Sequence, residues 1–188
     1  MRKYSFALIA CLSFTFLTGC EYVRGTVTYF YSDGPPEVGQ IVTVIPHSGQ
    51  DNTLEWDTYK ATIEQRLTEA GFQVNQGRPS SGFVCQIDYS IDQQGDTRTR
   101  AVARYDNNGR VAGVTNYTTQ VHQRVLILRF YSASISNPDS TEKPYAEVRV
   151  LSEGTSAELA RVMPALSKIA FSKWPGVTGK TYSVQKPL

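Results

Sequence analysis

Histidine and cysteine are the scarcest reactive residues of this 188-residue chain, which has two of the former and three of the latter. A metal centre would need more of them, or clustered carboxylates, and no ligand spacing of either kind occurs. Also missing are a Gly-rich phosphate loop and the G-x-S-x-G elbow of an α/β-hydrolase, a fold for which the chain is too short. There is no internal repeat and no low-complexity segment. No apolar run reaches the roughly 20 residues that a membrane-spanning helix needs. An excess of one charge is absent as well. The 19 Lys and Arg include Arg2 and Lys3, which lie in a segment read below as removable; without them 17 basic residues face 17 acidic ones. The pI of about 8.4 therefore belongs to the precursor, and attraction of the whole molecule to nucleic acid is not expected. What is present is a folded globular composition, 40% hydrophobic and 19% charged, of a length suited to one domain.

Met1-Arg2-Lys3 is a short positive segment, and residues 4–16 form an apolar stretch diluted by Ser5, Ser13 and Thr15. That is the length of a signal-peptide core. Leu17-Thr18-Gly19-Cys20 follows and resembles the bacterial lipobox: Leu, a small residue, Gly and an obligatory Cys. The resemblance implies a signal peptide over residues 1–19, a thioether from Cys20 to diacylglycerol, and an acylated new N-terminus. The membrane is thus an expected partner through the acyl chains on Cys20. Several chains, at about 0.8 kcal/mol per buried methylene, anchor a protein where a single chain is marginal. Glu21 is then the second residue of the mature chain. In Gram-negative lipoproteins an Asp there retains the protein in the inner membrane, so its absence favours the outer membrane and a periplasm-facing domain. Strand-like sequence begins by Gly25, which leaves residues 20–24 as a short tether and residues 25–188 as a single domain. A five-residue tether reaches at most roughly 17 Å.

With Cys11 removed and Cys20 lipidated, Cys85 is alone and the mature domain has no internal disulfide. Residues 83–91 alternate, with Phe83, Cys85, Ile87, Tyr89 and Ile91 on one face and Val84, Gln86, Asp88 and Ser90 on the other. This predicts a half-buried strand with Cys85 facing a helix as a small hydrophobe, not a nucleophile.

Strands are also expected at residues 25–31, 40–46, 72–75 and 145–151, and an edge strand at 181–185. Asn52-Thr53-Leu54-Glu55 reads as a capping box with Asn52 as N-cap, opening a helix whose stripe is Trp56, Tyr59, Ile63, Leu67 and Ala70. Thr155-Ser156-Ala157-Glu158 reads as a second, followed by the stripe Leu159, Val162, Met163, Leu166, Ile169 and Ala170. Pro164 inside that stripe predicts a kink or break. Residues 92–96 read as a turn, and residues 97–105 and 110–117 as a hairpin closed by Asn108-Gly109. A two-residue loop there pairs Tyr105 with Ala112, Ala103 with Val114 and Arg100 with Tyr117. Residues 119–133 are the most apolar of the mature chain, and Val125 to Leu128 lack alternation, as in a central strand covered on both faces. The expected fold is α+β: a mostly antiparallel twisted sheet of about six to eight strands with two helices packed on one face.

Chemistry is sparse. His47 falls in a loop and His122 in a strand; a periplasmic hydrolase using either is one reading, which a packed His122 would tell against. No catalytic constellation, metal site or cofactor is expected. Asp88 and Asp92 share a strand face and read as solvated. Arg98, Arg100 and Arg104, with Tyr117 opposite, form a candidate surface for an anion or a partner, with Asp88 or Asp92 as candidate counterions.

From about Thr26 to Gly176 the order of elements resembles a family of bacterial lipoproteins known as domain of unknown function 4136. The segments that carry the resemblance are Thr43-Val44-Ile45-Pro46, Glu69-Ala70-Gly71-Phe72, Phe83-Val84-Cys85-Gln86-Ile87-Asp88-Tyr89, Val125-Leu126-Ile127-Leu128-Arg129-Phe130-Tyr131 and Phe171-Ser172-Lys173-Trp174-Pro175. Where many members carry Trp, this chain has Tyr145, and its variable hairpin is Arg-rich where theirs is aromatic and Gly-rich. The resemblance implies an envelope location and brings no catalytic residue. The expected role is a non-enzymatic binding or scaffold module. An alternative is an accessory subunit of a secretion or lipid-transport assembly, bound to an envelope protein through a sheet edge at residues 25–31 or 181–185.

Overall fold

The computed structural model describes residues 21–50, 53–77, 79–135 and 142–188; the lipobox with Cys20, and Asn52, lie outside them. The elements are β1 (Tyr22–Tyr31), β2 (Ile41–Pro46), α1 (Leu54–Glu69), β3 (Gln73–Val74), β4 (Phe83–Ile91), β5 (Asp96–Tyr105), β6 (Val111–Ser132), β7 (Ala146–Gly154), α2 (Leu159–Ala170) and β8 (Thr181–Pro187). The strand order is β3-β2-β4-β6-β7-β1-β8, with β5 paired to β6 off that path. β2 pairs in parallel with β3 and β4, and the other ladders are antiparallel. This is the expected α+β architecture.

Strand alternation decides which side chains meet the helices. Val42 and Val44, Cys85 and Ile87, Leu126, Leu128 and Phe130, Val148 and Val150, and Val27 and Tyr29 are buried on one face. They pack with Trp56, Tyr59, Ile63 and Leu67 of α1 and Val162, Met163, Leu166 and Ile169 of α2 in one core. The phase read for β4 holds on the helix face, where Tyr89 meets Tyr59 edge-on, ring centres 4.9 Å apart, but the strand is not half-buried throughout: Val84 and Gln86 on the other face are buried too. At Gly25 a Cβ would stand 2.8 Å from the Leu151 carbonyl oxygen and 3.3 Å from Ile169 Cδ1. Glycine there lets α2 lie down on the sheet.

Several local expectations change. β1 starts at Tyr22, paired with Pro187, so residues 22–24 belong to the sheet and not to a tether. Thr53 caps α1, its hydroxyl accepting from the Trp56 N–H at 2.9 Å. α2 starts at Leu159, one turn later than the Thr155 box suggested. The preceding residues are held as a turn instead: the Ser156 hydroxyl accepts from the Glu158 N–H, and the Ser156 carbonyl accepts two bonds from Arg124. With that later start, Pro164 is the sixth helical residue and α2 continues through it.

β6 is one strand of 22 residues, not two. Its apolar run is not covered on both faces: Leu126 and Leu128 are fully buried, while Val125 and Ile127 are half-buried on the face away from the helices. Their cross-strand neighbours on that face are Leu151 and Arg149 of β7 and Ser90 and Asp88 of β4. The segment after β4 does not reverse the chain. β4 and β5 pair with the same strand in the same direction, Ile91 with Arg124 and Asp96 with Val121. Residues 92–95 are therefore an outward bulge in one long strand line.

Candidate functional site

Beyond Val121, β6 leaves the body of the sheet and pairs with β5 alone. The result is a two-stranded ribbon. The ten residues of β5, at about 3.4 Å each, make it roughly 34 Å long. Nine of those ten are exposed. Five large apolar side chains, Val102, Tyr105, Val111, Val114 and Tyr117, stay in solvent on it. On the helix-covered face of the body, by contrast, Val27, Tyr29, Leu126, Leu128 and Val148 are fully buried.

The tip is a three-residue loop. The Asp106 N–H donates to the Arg110 carbonyl at 2.8 Å and the Gly109 N–H to the Asp106 carbonyl at 3.0 Å. The Asp106 carboxylate accepts from the Asn108 and Arg110 N–H groups at 2.9 and 2.8 Å. Gly109 has φ +74°, the left-handed conformation that this loop requires and that glycine adopts without strain. The bulge it leaves pairs Tyr105 with Val111 rather than Ala112, while Ala103–Val114 and Arg100–Tyr117 pair as expected.

The base of the ribbon is pinned by His122. Its ring is 5% exposed, and Nδ1 lies 2.7 Å from the Asp92 carbonyl oxygen. A carbonyl only accepts, so Nδ1 carries the proton. Gly95 packs against the same ring: a Cβ there would stand 2.9 Å from Nδ1. His122 thus holds the 92–95 bulge, which is a structural duty. His47 sits where β2 ends, its N–H donating to the Ile87 carbonyl.

Arg98, Arg100 and Arg104 lie on one ribbon face with Val102 between them and Thr119, Tyr117 and Thr115 across from them. That face continues the uncovered face of the sheet. Arg98 is paired there with Glu153 at 2.8 Å. Among the described residues no ion pair involves Arg100 or Arg104. The expected counterions are engaged elsewhere. Asp88 meets Arg129 at 3.3 Å, and Arg129 also meets Glu147 at 3.2 Å. The Asp92 carboxylate accepts from the Gln94 N–H.

Register fixes where the ribbon points. Gly25 pairs with Ser152 and Ser152 with Arg124, so β1 and β6 run parallel and Tyr22 is level with Val121. The start of β1 and the base of the ribbon are at one end of the sheet. Glu21 is clamped there. Its carbonyl accepts from the Leu188 N–H at 2.9 Å, and its carboxylate pairs with Arg161. Nearby Arg124 is 3% exposed; burial lowers its pKa, and the Glu21 charge works against that. Position in the sequence hints at Glu21 alone. Its partners are more than a hundred residues away and carry no motif.

The remaining reactive group is quiet. Cys85 is fully buried, and burial pushes its thiol well above the ordinary range. Among the described residues no group of three or more His, Cys, Asp or Glu could hold a metal ion, and no helix is long and apolar enough to cross a membrane.

No family model matches the chain, and no curated protein matches it. Among solved structures it is similar to a PDZ domain protein from Parabacteroides distasonis, with a TM-score of 0.51 and 12% identity over 87% of this chain and 39% of that one. The chain therefore spans about two fifths of that protein's length. It is also matched to the PelC dodecamer from Paraburkholderia phytofirmans, TM-score 0.40 and 10% identity over 77% of this chain and 94% of that one. A third match is a minor lipoprotein from Acinetobacter baumannii, TM-score 0.35 and 10% identity over 73% and 98%. The likeness to the first is one of fold alone, and those to the other two are too slight to build on.

Proposed function

We propose that this chain is a lipoprotein of the bacterial cell envelope, held by acyl chains on Cys20 and facing the periplasm, with the outer membrane favoured over the inner. It works as a non-enzymatic binding or scaffold module. The observation that carries this reading is the pairing of β1 from Tyr22 onward directly after the Leu17-Thr18-Gly19-Cys20 lipobox. A domain that begins at the second residue past its anchor suits work at the membrane surface. The non-enzymatic part is supported by His122, whose Nδ1 is spent on the Asp92 carbonyl, and by the buried, protonated Cys85. Mass spectrometry of protein extracted from membranes tests the anchor. The expected N-terminal peptide starts at Cys20 and carries a diacylglyceryl thioether and an amide-linked acyl chain. An unmodified Cys20, or a mature start elsewhere, overturns it.

The accessory-subunit reading has one edge left to it. β1 lies between β7 and β8, so residues 25–31 are interior; β8 is the outermost strand of that side. An envelope protein that adds a strand to β8 would co-purify from detergent-solubilised membranes in fixed proportion to this chain.

A further inference from the structure

We propose that the β5–β6 ribbon is a second membrane contact, lying along the phospholipid leaflet that holds the anchor and engaging its anionic headgroups through Arg100 and Arg104. This rests on the lipid-anchor reading above. The first argument is geometric. Tyr22 is level with Val121, and the ribbon projects from that level beyond the end of the sheet at which β1 begins. Two residues separate Tyr22 from Cys20, a reach of roughly 7 Å. The ribbon projects roughly 34 Å past that level. A domain tied that closely cannot stand upright with the ribbon clear of the leaflet. It must tilt until the ribbon lies against the surface.

The second argument is charge. The ribbon, residues 96–121, carries four arginines, Arg98, Arg100, Arg104 and Arg110, against two acids, Asp96 and Asp106. The mature chain as a whole is neutral, so the ribbon is positive and the remainder equally negative. The positive end is the end that carries the anchor. Arg98 is neutralised by Glu153, which leaves Arg100 and Arg104 for an external anion.

The third is the company these arginines keep. Tyr117 lies across from Arg100, and Val102 stands between Arg100 and Arg104 on the same face. Tyr117 is 58% exposed. A tyrosine ring between cations is the side chain that settles at the headgroup level, apolar body down and hydroxyl in water. The ribbon cannot enter the hydrocarbon, because two strands leave open edges whose N–H and C=O groups need water. It is a surface contact.

The test uses the full lipidated chain reconstituted into phosphatidylcholine vesicles with or without phosphatidylglycerol. Because Cys85 is buried, an environment-sensitive fluorophore can be placed on the arginine face of the ribbon through Thr115→Cys and, as a control at the far end, through Asp33→Cys. Headgroup spin-labelled lipid is the quencher. With phosphatidylglycerol present, the ribbon label is quenched and the Asp33 label is not. Replacing Arg100 and Arg104 with Gln lowers the docked-to-free ratio of the ribbon by on the order of tenfold or more, and replacing both with Lys restores it. Unchanged thermal unfolding of the Gln variant shows that the ribbon, not the fold, was altered. A chain that floats with the vesicles while both labels are quenched equally little overturns the proposal and leaves the anchor standing. That outcome gives the ribbon face to a protein partner. A chain that does not float overturns the anchor and this proposal with it.

Discussion

The two halves of β6 are one unbroken strand in two environments. From His122 onward it pairs with β7 and from Arg124 onward also with β4, and Leu126, Leu128 and Phe130 have no exposed surface. From Val111 to Val121 it has a single neighbour, β5, and most of its side chains are in water. The backbone pairing is the same kind in both. What differs is the layer above: α1 and α2 cover the first region and nothing in the described residues covers the second. Strand pairing alone is close to neutral in water, and a two-stranded ribbon is marginal by itself. The body supplies the stability, and the ribbon is held out by the continuity of β6 and by the His122–Asp92 bond at its base.

The largest expected effect separates the two regions outright. Cys85→Asp puts an unpaired carboxylate in the covered half, and the domain should fail to fold or be degraded. Cys85→Ala leaves a small cavity and costs about 1 kcal/mol. A soluble protein with native circular dichroism from the Asp variant would mean that the core is not where β4 alternation puts it. Within β6 itself, Leu128→Ala should cost about 2–5 kcal/mol in urea unfolding. Thr118→Ala, ten residues earlier on the same strand, should stay within about 0.5 kcal/mol. Equal costs would erase the distinction between the halves.

Alkaline pH acts on the covered region next. Burial raises the Cys85 thiol above its ordinary 9.0 and the Tyr29 phenol from 10.0 to about 12, with Tyr31 and Tyr59 raised further in the same direction. Folded-state values above unfolded ones stabilise fully below the unfolded pKa, and that contribution is lost as pH rises through the window above it. Urea midpoints should therefore hold steady up to about pH 9 and fall beyond it. The smallest effect belongs to the ribbon: Arg100→Gln with Arg104→Gln should move the unfolding midpoint by no more than about 0.5 kcal/mol. A larger loss would show that these arginines support the fold.

The elements that were legible in sequence are those whose signal is local. Period two in residues 83–91 and period three to four after Trp56 and after Leu159 located the core faces, because alternation and helical spacing are the direct imprint of one covered side. The hairpin was legible to within one pair, since Asn-Gly favours a loop there without fixing its length. The start of β1 was not: Tyr22 to Arg24 look like a linker, and only β8, some 160 residues on, makes them a strand. The cap of α2 failed for a similar reason. Arg124 from a distant strand takes the Ser156 carbonyl, which no local motif announces.

The candidate surface divides in the same way. Sequence alone determined that Arg98, Arg100 and Arg104 share a strand face with Tyr117 opposite Arg100, because side-chain direction in a strand depends only on parity and on the turn that sets the register. It also determined that Cys85 is buried, as part of an apolar alternation that must meet a helix. Tertiary structure alone decided that Glu153 answers Arg98 while Asp88 answers Arg129, that His122 serves a backbone carbonyl, and that residues 92–95 continue a strand line and do not turn it. Those outcomes depend on which strands become neighbours, a choice made by burying the most apolar area in one layer, and it leaves no trace in the spacing of the residues it brings together.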